Sequence, residues 1–290
     1  MSSRANITPP EKIPFTKMHG AGNDFVVLDL RNMPPPTPAM CAAMSDRHRG
    51  IGCDLILGIE SPITAGAVAS FRIWTADGQN PMQCGNGLRC IAAWARKTGL
   101  ATSQEFYIDS PSGPIPIKFC GPDMYSAELA VPDFAPGAIP LTGLGDAADS
   151  YTLTLPTGED ICFGAVSMGN PHAVVEVSDV AQAQVDRIGP LMQVAPELPP
   201  SVNVGFVEVC TRDHVRLRVF EFGAGETLAC GSGACAAAAH LMRHGRIARD
   251  VNVSLPGGTV RITWPDTQSP ILMTGPAAFV FEGEFEYATV

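Results

Sequence analysis

The amino-acid sequence repeats itself, and this internal duplication limits the possible folds more than any other feature. The segment 15–27 resembles the segment 163–175, because each has two apolar runs on either side of a Gly-Asn turn. The pattern Cys-Gly-X-Gly then occurs once in each half, at Cys84 and at Cys230. The Gly-Asn asparagine and this cysteine are 61 positions apart in the first half and 60 in the second. Such a repeat predicts two domains of one fold.

The length of the chain agrees with this division. The protein has 290 residues, and a domain commonly has about 150. We therefore expect a first domain over residues 1–130 and a second over residues 131–275. The stretch 131–145 is rich in Pro and Gly, and we interpret it as the linker.

Glycine and proline divide the chain into short segments, which favours strands over long helices. Apolar or alternating runs predict strands over 25–30, 70–74, 105–108, 173–177, 202–209, 215–219, 251–255 and 260–264. Helical periodicity, with glycine after two of the segments, predicts helices over 38–47, 88–97, 180–188 and 234–244. This mixture predicts the α+β class.

Charge and hydropathy exclude several classes of protein. The formal net charge is −10 and no long basic run is present, so we expect no nucleic-acid partner. Apolar windows such as 234–242 are shorter than the ~20 residues of a membrane helix, so we expect no membrane partner. The polar start of the chain and its nine scattered cysteines are typical of a reducing compartment and predict a cytoplasmic location.

The two Cys-Gly-X-Gly turns suggest a chemistry. Each places a cysteine before a helix, where backbone N–H groups and the helix dipole can bind an anion and lower the pKa of a thiol. If the domains face each other, a carboxylate fits between the two helix ends in one cleft. One thiolate would then remove an α-proton while the other thiol protonates the opposite face, which inverts a stereocentre.

Six sequence motifs are spread along the chain: KMHGAGNDF from Lys17, ADG from Ala76, QCGNGLRC from Gln83, MGNPH from Met168, GETLACGSGAC from Gly225 and MTGPA from Met273. In these motifs, and over nearly its whole length, the sequence resembles a known family, the diaminopimelate epimerases. The resemblance implies two pseudo-symmetric domains, each a curled sheet around a central helix, with the active site in the cleft between them. It also implies that the strand 276–290 returns to the first domain.

The resemblance assigns roles to particular residues and implies inversion of an amino-acid α-carbon without pyridoxal phosphate or metal. The expected catalytic residues are the acid/base pair Cys84 and Cys230, with His172 and Glu221 tuning the thiols. The α-carboxylate is expected on Gly85, Asn86, Gly231 and Ser232. Further contacts with the amino-acid substrate are expected from Asn23, Asn170, Asn203 and Glu221. A homodimer is also implied, and a tyrosine of the family's dimer contact is Phe281 here.

Three positions depart from the family pattern. Leu55, Thr75 and Phe222 stand where family members often have glutamine, asparagine and arginine. That asparagine and arginine hold the distal carboxylate of diaminopimelate, and an Arg fork binds a carboxylate in a way that a phenyl ring cannot. We therefore expect an altered distal pocket, although Leu55 and Phe222 are equally compatible with a place in the core.

Other interpretations remain open at this stage. Diaminopimelate itself is the second candidate substrate, and an isomerase of the same fold acting on a different acid is a third possibility. A zinc protein would use Cys84, Cys90, Cys230 and Cys235, although their spacing is wider than usual. A thiol-redox protein is also compatible with paired cysteines, although no Cys-X-X-Cys is present. A purely structural role for Cys84 and Cys230 is disfavoured, because the surrounding glycines predict little side-chain packing.

Overall fold

The computed structural model describes residues 12–80 and 84–286. The chain divides into two compact units. As far as they are described, the first unit comprises Met1–Gly20, Asp24–Ala127 and Pro276–Val290, and the second comprises Ala21–Asn23 and Glu128–Gly275. Gln83 of the QCGNGLRC motif and the last four positions of the predicted strand 276–290 lie outside the described residues.

The first unit is built on one sheet. Its strands are β1 (Lys12–Gly20), β2 (Asn23–Asp29), β3 (Leu55–Glu60), β4 (Ala67–Trp74), β5 (Glu105–Ser110), β6 (Gly113–Gly121), β7 (Met124–Glu128) and, near the C-terminus, β17 (Ala278–Glu286). The spatial order is β17-β1-β2-β3-β4-β5-β6-β7. The strand from the end of the chain thus pairs with the strand from its beginning.

The second unit has the corresponding strands. They are β8 (Tyr151–Thr154), β9 (Asp160–Ser167), β10 (Pro171–Glu176), β11 (Asn203–Thr211), β12 (His214–Glu221), β13 (Gly225–Thr227), β14 (Asp250–Leu255), β15 (Gly258–Thr263) and β16 (Leu272–Pro276). Their order is β8-β9-β10-β11-β12-β14-β15-β16, and the short β13 pairs with β12 as an addition.

The two sheets share their strand directions as well as their order. β2 runs parallel to β3, as β10 does to β11. The next pairs, β3 with β4 and β11 with β12, are antiparallel. β4 then runs parallel to β5, as β12 does to β14. The duplication in the sequence is therefore a duplication of topology, and the predicted α+β class with a repeated domain fold is confirmed.

Each sheet encloses one helix. The helices are α1 (Pro38–Ser45), α2 (Gly85–Lys97), α3 (Val185–Gln193) and α4 (Gly231–Arg243). α2 is buried without interruption from Asn86 to Ala95, and α4 from Gly233 to Ala239. A helix buried on all sides must be wrapped by other elements. α2 and α4 are therefore the central helices of the two units.

The buried apolar clusters of each unit include residues from its helices and its sheet. In the first unit, Leu88 and Ile91 of α2 belong to one buried cluster with Phe25 and Phe71 of the sheet. In the second unit, the buried alanines of α4 belong to one cluster with the fully buried Trp264. α1 and α3 each join a separate buried cluster of their own unit.

The predicted helix over 180–188 is wrong in its first half. A 3₁₀ turn at Val180–Gln182 is followed by α3, which begins at Val185. Ala183 between them is extended, with φ −62° and ψ 131°. Arg218 Nη1 donates to the carbonyl oxygens of Val180 and Ala183, each at 3.1 Å, which takes these acceptors away from a helical ladder.

The stretch 131–145 is not a free linker. Asp133 and Ser167 exchange backbone hydrogen bonds of 2.9 and 2.7 Å, and Ile139 is completely buried. The stretch therefore folds onto the second unit. Among the described residues, no helix is both long and apolar enough to cross a membrane.

The packing of α4 on β9 generates a stability prediction. A Cβ atom at Gly164 would lie 2.1 Å from Cε1 of His240. We expect Gly164→Ala to lower the free energy of unfolding by about 1–3 kcal/mol, because overpacking shifts the neighbouring ring. Chemical denaturation measures this loss.

His240→Ala should relieve the overlap, so that the double variant is more stable than the sum of the single effects predicts. Gly137→Ala is the matched control, since nothing lies within 4 Å of the position of its Cβ. Additive single effects would contradict the proposed overlap.

Candidate active site

The thiols of Cys84 and Cys230 have the same local structure. Both residues are the N-caps of the central helices and have extended backbones, with φ −150° and −113°. Cys84 Sγ accepts a hydrogen bond from Gly87 N at 3.3 Å, and Cys230 Sγ accepts one from Gly233 N at 3.4 Å. N-caps are usually Ser, Thr, Asp or Asn, so a thiol occupies the place of a capping oxygen in both units.

The last glycine of each Cys-Gly-X-Gly motif permits the close contact between the cysteine sulfur and the backbone N–H. A Cβ at Gly233 would lie 3.1 Å from Val219 Cγ2 and 3.2 Å from Cys230 Sγ. A Cβ at Gly87 would lie 3.1 Å from Leu57 Cδ2. Each helix start is therefore held tightly against its own sheet, and this fixes the position of the thiol.

The residues between cap and glycine form the first turn of each helix. Gly85 and Asn86 begin α2, and Gly231 and Ser232 begin α4. N–H groups of a first turn have no partner within the helix, and the helix dipole makes this end positive. Both turns therefore have the chemistry that a carboxylate needs.

The second unit brings several of the expected site residues together around Cys230. Asn170 Nδ2 lies 3.5 Å from Ser232 Oγ, and Asn170 Oδ1 lies 3.1 Å from His172 Nε2. Ser232 Oγ is in turn 3.6 Å from Cys230 Sγ. A continuous polar chain thus runs from the Gly-Asn turn to the thiol.

Asn203 holds the backbone beside this chain. Its Oδ1 accepts a hydrogen bond from Phe222 N at 3.0 Å, and its Nδ2 donates to Pro171 O at 3.4 Å. The side chain of Asn203 is buried, but Phe222 is 57% exposed. Phe222 is therefore not a core residue, and the core interpretation of this position is wrong.

Glu221 lies against the thiol of Cys230. Its carboxylate accepts a hydrogen bond from Thr227 Oγ1, across the β12–β13 pair, and a second from Cys230. Burial raises the pKa of the Cys230 thiol well above its usual value, and Glu221 raises this pKa further by charge repulsion and by accepting the hydrogen bond.

The expectation of a lowered pKa is therefore wrong for Cys230. Ser232 and the N–H of Gly233 do lower this pKa, but burial outweighs them because a thiolate loses its hydration. Cys230 is only 4% exposed and belongs to the core cluster around α4. The expectation of little packing around this thiol is wrong as well. The raised pKa favours the protonated thiol of Cys230.

His172 is neutral at physiological pH. The side chain is completely enclosed, and burial lowers its pKa to about 3. An amide oxygen only accepts hydrogen bonds, so the contact with Asn170 Oδ1 fits the tautomer with a proton on Nε2. His172 therefore interacts through hydrogen bonds and carries no charge.

The substituted positions of the first unit, Leu55 and Thr75, lie where neighbouring strands of its sheet begin or end. Leu55 begins β3 and Thr75 follows β4, and these strands are antiparallel, with Ile56 opposite Trp74. The β2 strand begins with Asn23 at the same end of the sheet, because β2 runs parallel to β3.

Leu55 and Thr75 have different surroundings at this end of the strands. Thr75 donates its hydroxyl hydrogen to the carboxylate of Asp77, and its N–H bonds to Gln79 O at 2.9 Å. The hydroxyl of Thr75 therefore serves its own turn. Leu55 is half-buried against the core cluster of the first unit.

Two polar residues near the thiols were not predicted from the sequence. Thr227 orients Glu221, and Arg89 lies fully buried in α2. Arg89 had a signal, because it is the single charged residue in the apolar stretch 88–95 of a predicted helix. Thr227 had none beyond its place in the GETLACGSGAC motif.

The described residues offer no cluster of side chains for the zinc interpretation. Within 12–80 and 84–286, no three His, Cys, Asp or Glu side chains gather into a group able to hold a metal ion. Cys90 and Cys235, two of the four suggested ligands, are completely buried inside α2 and α4.

Known proteins with similar sequences identify the family of this chain. The sequence profile of diaminopimelate epimerase matches residues 15–128 and 164–280. The O-ureido-serine racemase of Streptomyces lavendulae is 59% identical over 281 residues, which cover 97% of this chain and 98% of that protein. A diaminopimelate epimerase of Xanthomonas euvesicatoria pv. vesicatoria is 57% identical over 275 residues, which cover 94% and 96%.

A solved structure with a distant sequence shares the fold. A probable proline racemase from Agrobacterium radiobacter K84 superimposes with a TM-score of 0.69 and 15% sequence identity, over 96% of this chain and 93% of that chain. The relatives are isomerases by name, and the prediction that the protein is an isomerase is confirmed. The chain belongs to the diaminopimelate epimerase family.

Proposed function

We propose that the protein is a cofactor-independent amino-acid racemase that works with two cysteines as acid and base. The observation that carries this proposal is the equivalence of Cys84 and Cys230. Each thiol is the N-cap of a central helix and accepts a hydrogen bond from a first-turn N–H, and a helix start of this kind suits an anion. Two acid/base groups beside two anion sites suit the inversion of an α-carbon that bears a carboxylate.

The proposed step moves one proton at each face of the α-carbon. Cys84, as a thiolate, takes the α-proton, and the electron pair of the broken C–H bond becomes a carbanion delocalised into the carboxylate. Cys230, as a thiol, then gives its proton to the opposite face and becomes a thiolate. The raised pKa of Cys230 supports its assignment as the acid, and the two cysteines exchange roles in the reverse direction.

The helix starts have a second task in this scheme. N–H groups that already point at a carboxylate also stabilise the negative charge that develops on it when the proton leaves. Gly85 and Asn86 are proposed to supply these donors in one unit, and Gly231 and Ser232 in the other. His172 and Glu221 are proposed to tune the thiols, and Asn23, Asn170 and Asn203 to contact the substrate.

We further propose a substrate with a neutral side chain. Leu55, Thr75 and Phe222 offer no guanidinium fork or side-chain amide, so a distal carboxylate placed beside them would cost several kcal/mol relative to a paired one. Phe222 follows Glu221 directly, which supports a place beside the substrate. O-ureido-serine, the substrate in the name of the Streptomyces relative, is a serine with an uncharged ureido group and fits this requirement. Diaminopimelate is the second candidate.

The first prediction concerns the substrate class. In D₂O we expect α-deuterium exchange and racemisation of O-ureido-L-serine, and slow or absent turnover of LL-diaminopimelate, because the latter has no charged partner for its distal carboxylate. NMR and chiral chromatography measure both reactions. A kcat/KM for diaminopimelate equal to or above that for every neutral amino acid tested would overturn the substrate proposal.

The second prediction concerns the acid/base pair. Cys84→Ser and Cys230→Ser should each lower the racemisation rate by several orders of magnitude, since an alcohol is a far weaker acid than a thiol. Cys162→Ser is the matched control, because this thiol is exposed and should not matter. Near-normal racemisation by either of the two serine variants would contradict the mechanism.

The third prediction concerns the distal pocket. Phe222→Arg combined with Thr75→Asn should raise kcat/KM for LL-diaminopimelate relative to O-ureido-L-serine by tenfold or more, because the fork and amide pair the distal carboxylate. Val194→Arg adds the same charge at a residue that is 75% exposed and should leave the ratio unchanged. An unchanged ratio in the folded double variant would show that these positions do not select the substrate.

A further inference from the structure

The hydroxyl of Ser232 lies against the sulfur of Cys230. Ser232 Oγ is 3.6 Å from Cys230 Sγ, within the range of a hydrogen bond to sulfur. The proposed mechanism uses the backbone N–H of Ser232 for the substrate carboxylate. The hydroxyl is therefore a second polar group of the same residue, in contact with a reacting atom.

The contacts of the Cys230 thiol decide which atom is the donor. The carboxylate of Glu221 accepts the hydrogen of this thiol in a hydrogen bond. A thiol has a single hydrogen, so the sulfur meets Ser232 as an acceptor. The sulfur accepts in the same way from Gly233 N at 3.4 Å. The hydrogen of the Ser232 hydroxyl therefore points at the sulfur.

Asn170 favours the same direction from the other side of the hydroxyl. Asn170 Nδ2 lies 3.5 Å from Ser232 Oγ, and an amide NH₂ group only donates. A lone pair of the Ser232 oxygen thus faces Asn170. The hydroxyl hydrogen is turned away from Asn170 and toward Cys230.

His172 fixes which end of the Asn170 amide faces Ser232. His172 Nε2 lies 3.1 Å from Asn170 Oδ1, so the amide oxygen bonds to the ring and the NH₂ group is on the side of Ser232. The ring is buried and neutral. In β10, His172 is paired with Val166 of β9 and with Asn203 of β11, which leaves the ring little freedom to move.

The backbone of the turn between β9 and β10 also holds Asn170 in place. Met168 N donates to Asn170 O at 3.1 Å. Gly169 lies between these two residues with φ 90°, a conformation that glycine adopts without a steric penalty. The chain of hydrogen bonds from His172 to the thiol therefore begins at two fixed positions.

We propose that the Ser232 hydroxyl is a catalytic group, which stabilises the thiolate of Cys230 by donating a hydrogen bond to it. Asn170 and His172 are positioning residues, because they keep this hydroxyl turned toward the sulfur. The inference rests on the proposed function, in which Cys230 is a thiolate for half of the catalytic cycle. A thiolate that is buried beside Glu221 loses its hydration and faces a negative charge, so it needs such donors.

The test uses the two enantiomers of one substrate, O-ureido-L-serine and O-ureido-D-serine. The enantiomer whose proton Cys230 removes binds to enzyme with a thiolate at Cys230, and the other binds to enzyme with a thiolate at Cys84. A less populated form of the enzyme raises the KM of its own enantiomer. Burial and Glu221 disfavour the thiolate of Cys230, so we expect the enantiomer with the larger KM to be the one that Cys230 deprotonates.

Ser232→Ala should increase the ratio of the larger KM to the smaller by about tenfold or more, the effect of losing a hydrogen bond to a charged group. The substitution keeps the backbone N–H that is proposed for the carboxylate. A merely structural role would change both KM values alike, and an unchanged or smaller ratio would overturn the inference. Ser232→Thr keeps the hydroxyl and should keep the wild-type ratio, so a threonine variant that behaves like the alanine variant would overturn it too.

Ser45→Ala is the matched control for this experiment. Ser45 Oγ lies 3.5 Å from Cys53 Sγ in the first unit, and both residues are buried. The substitution therefore removes the same kind of contact at a cysteine that has no place in the mechanism. We expect the wild-type ratio of KM values, and a shift as large as that of Ser232→Ala would contradict the inference.

A double variant tests the part of Asn170. Asn170→Ala should increase the KM ratio as Ser232→Ala does, because the hydroxyl is no longer held toward the sulfur. Adding Asn170→Ala to Ser232→Ala should change the ratio no further, since no hydroxyl is left to position. The same is expected of His172→Phe, which removes the ring nitrogen that holds the amide. Additive shifts would show that these residues do not act through Ser232.

Failure of the inference is distinguishable from failure of the proposed function. If the wild-type protein racemises neither O-ureido-L-serine nor any other amino acid, the proposed function fails and the inference fails with it. If the wild-type protein is active and Ser232→Ala keeps its ratio of KM values, only the role of Ser232 fails.

Discussion

The hydrogen bond from a first-turn N–H to a cysteine sulfur is the interaction on which the rest of the site depends. It occurs at Cys84 and at Cys230 with nearly equal lengths of 3.3 and 3.4 Å. Because the sulfur caps the helix, the position of the thiol is fixed by the same contacts that pack the helix into its sheet. The two thiols are therefore part of rigid elements, which is a condition for the precise placement of functional groups.

Much of the fold could be predicted from the sequence because the repeat is both long and regular. A match of strand, turn and helix entry at spacings of 61 and 60 residues leaves few topologies besides a duplicated unit. Local patterns were less informative where a distant side chain intervened. The helix expected over 180–188 is interrupted because Arg218, far along the chain, takes two of its carbonyl oxygens.

Sequence motifs point to the residues of the candidate site but not to its electrostatics. Motifs located the cysteines, the asparagines and Glu221, since these stand in short patterns. The pKa of Cys230 was not predictable, because it depends on complete burial and on a carboxylate that approaches from β12. The general rule that a helix N-terminus lowers the pKa of a thiol predicts a shift in the opposite direction. Likewise, only the structure shows that the hydroxyl of Thr75 bonds to Asp77 within its own turn.

The pairing of β17 with β1 has a consequence for biosynthesis. Residues 12–19 lie opposite residues 278–286, so a ribosome must make the chain as far as residues 278–286 before β1 and β17 can pair. The second unit consists mainly of the continuous segment Glu128–Gly275. Its outer strand, β8, pairs with β9, the next strand along the chain. The half of the protein that is synthesised first is therefore completed last, and until then β1 is an open edge able to pair with other chains.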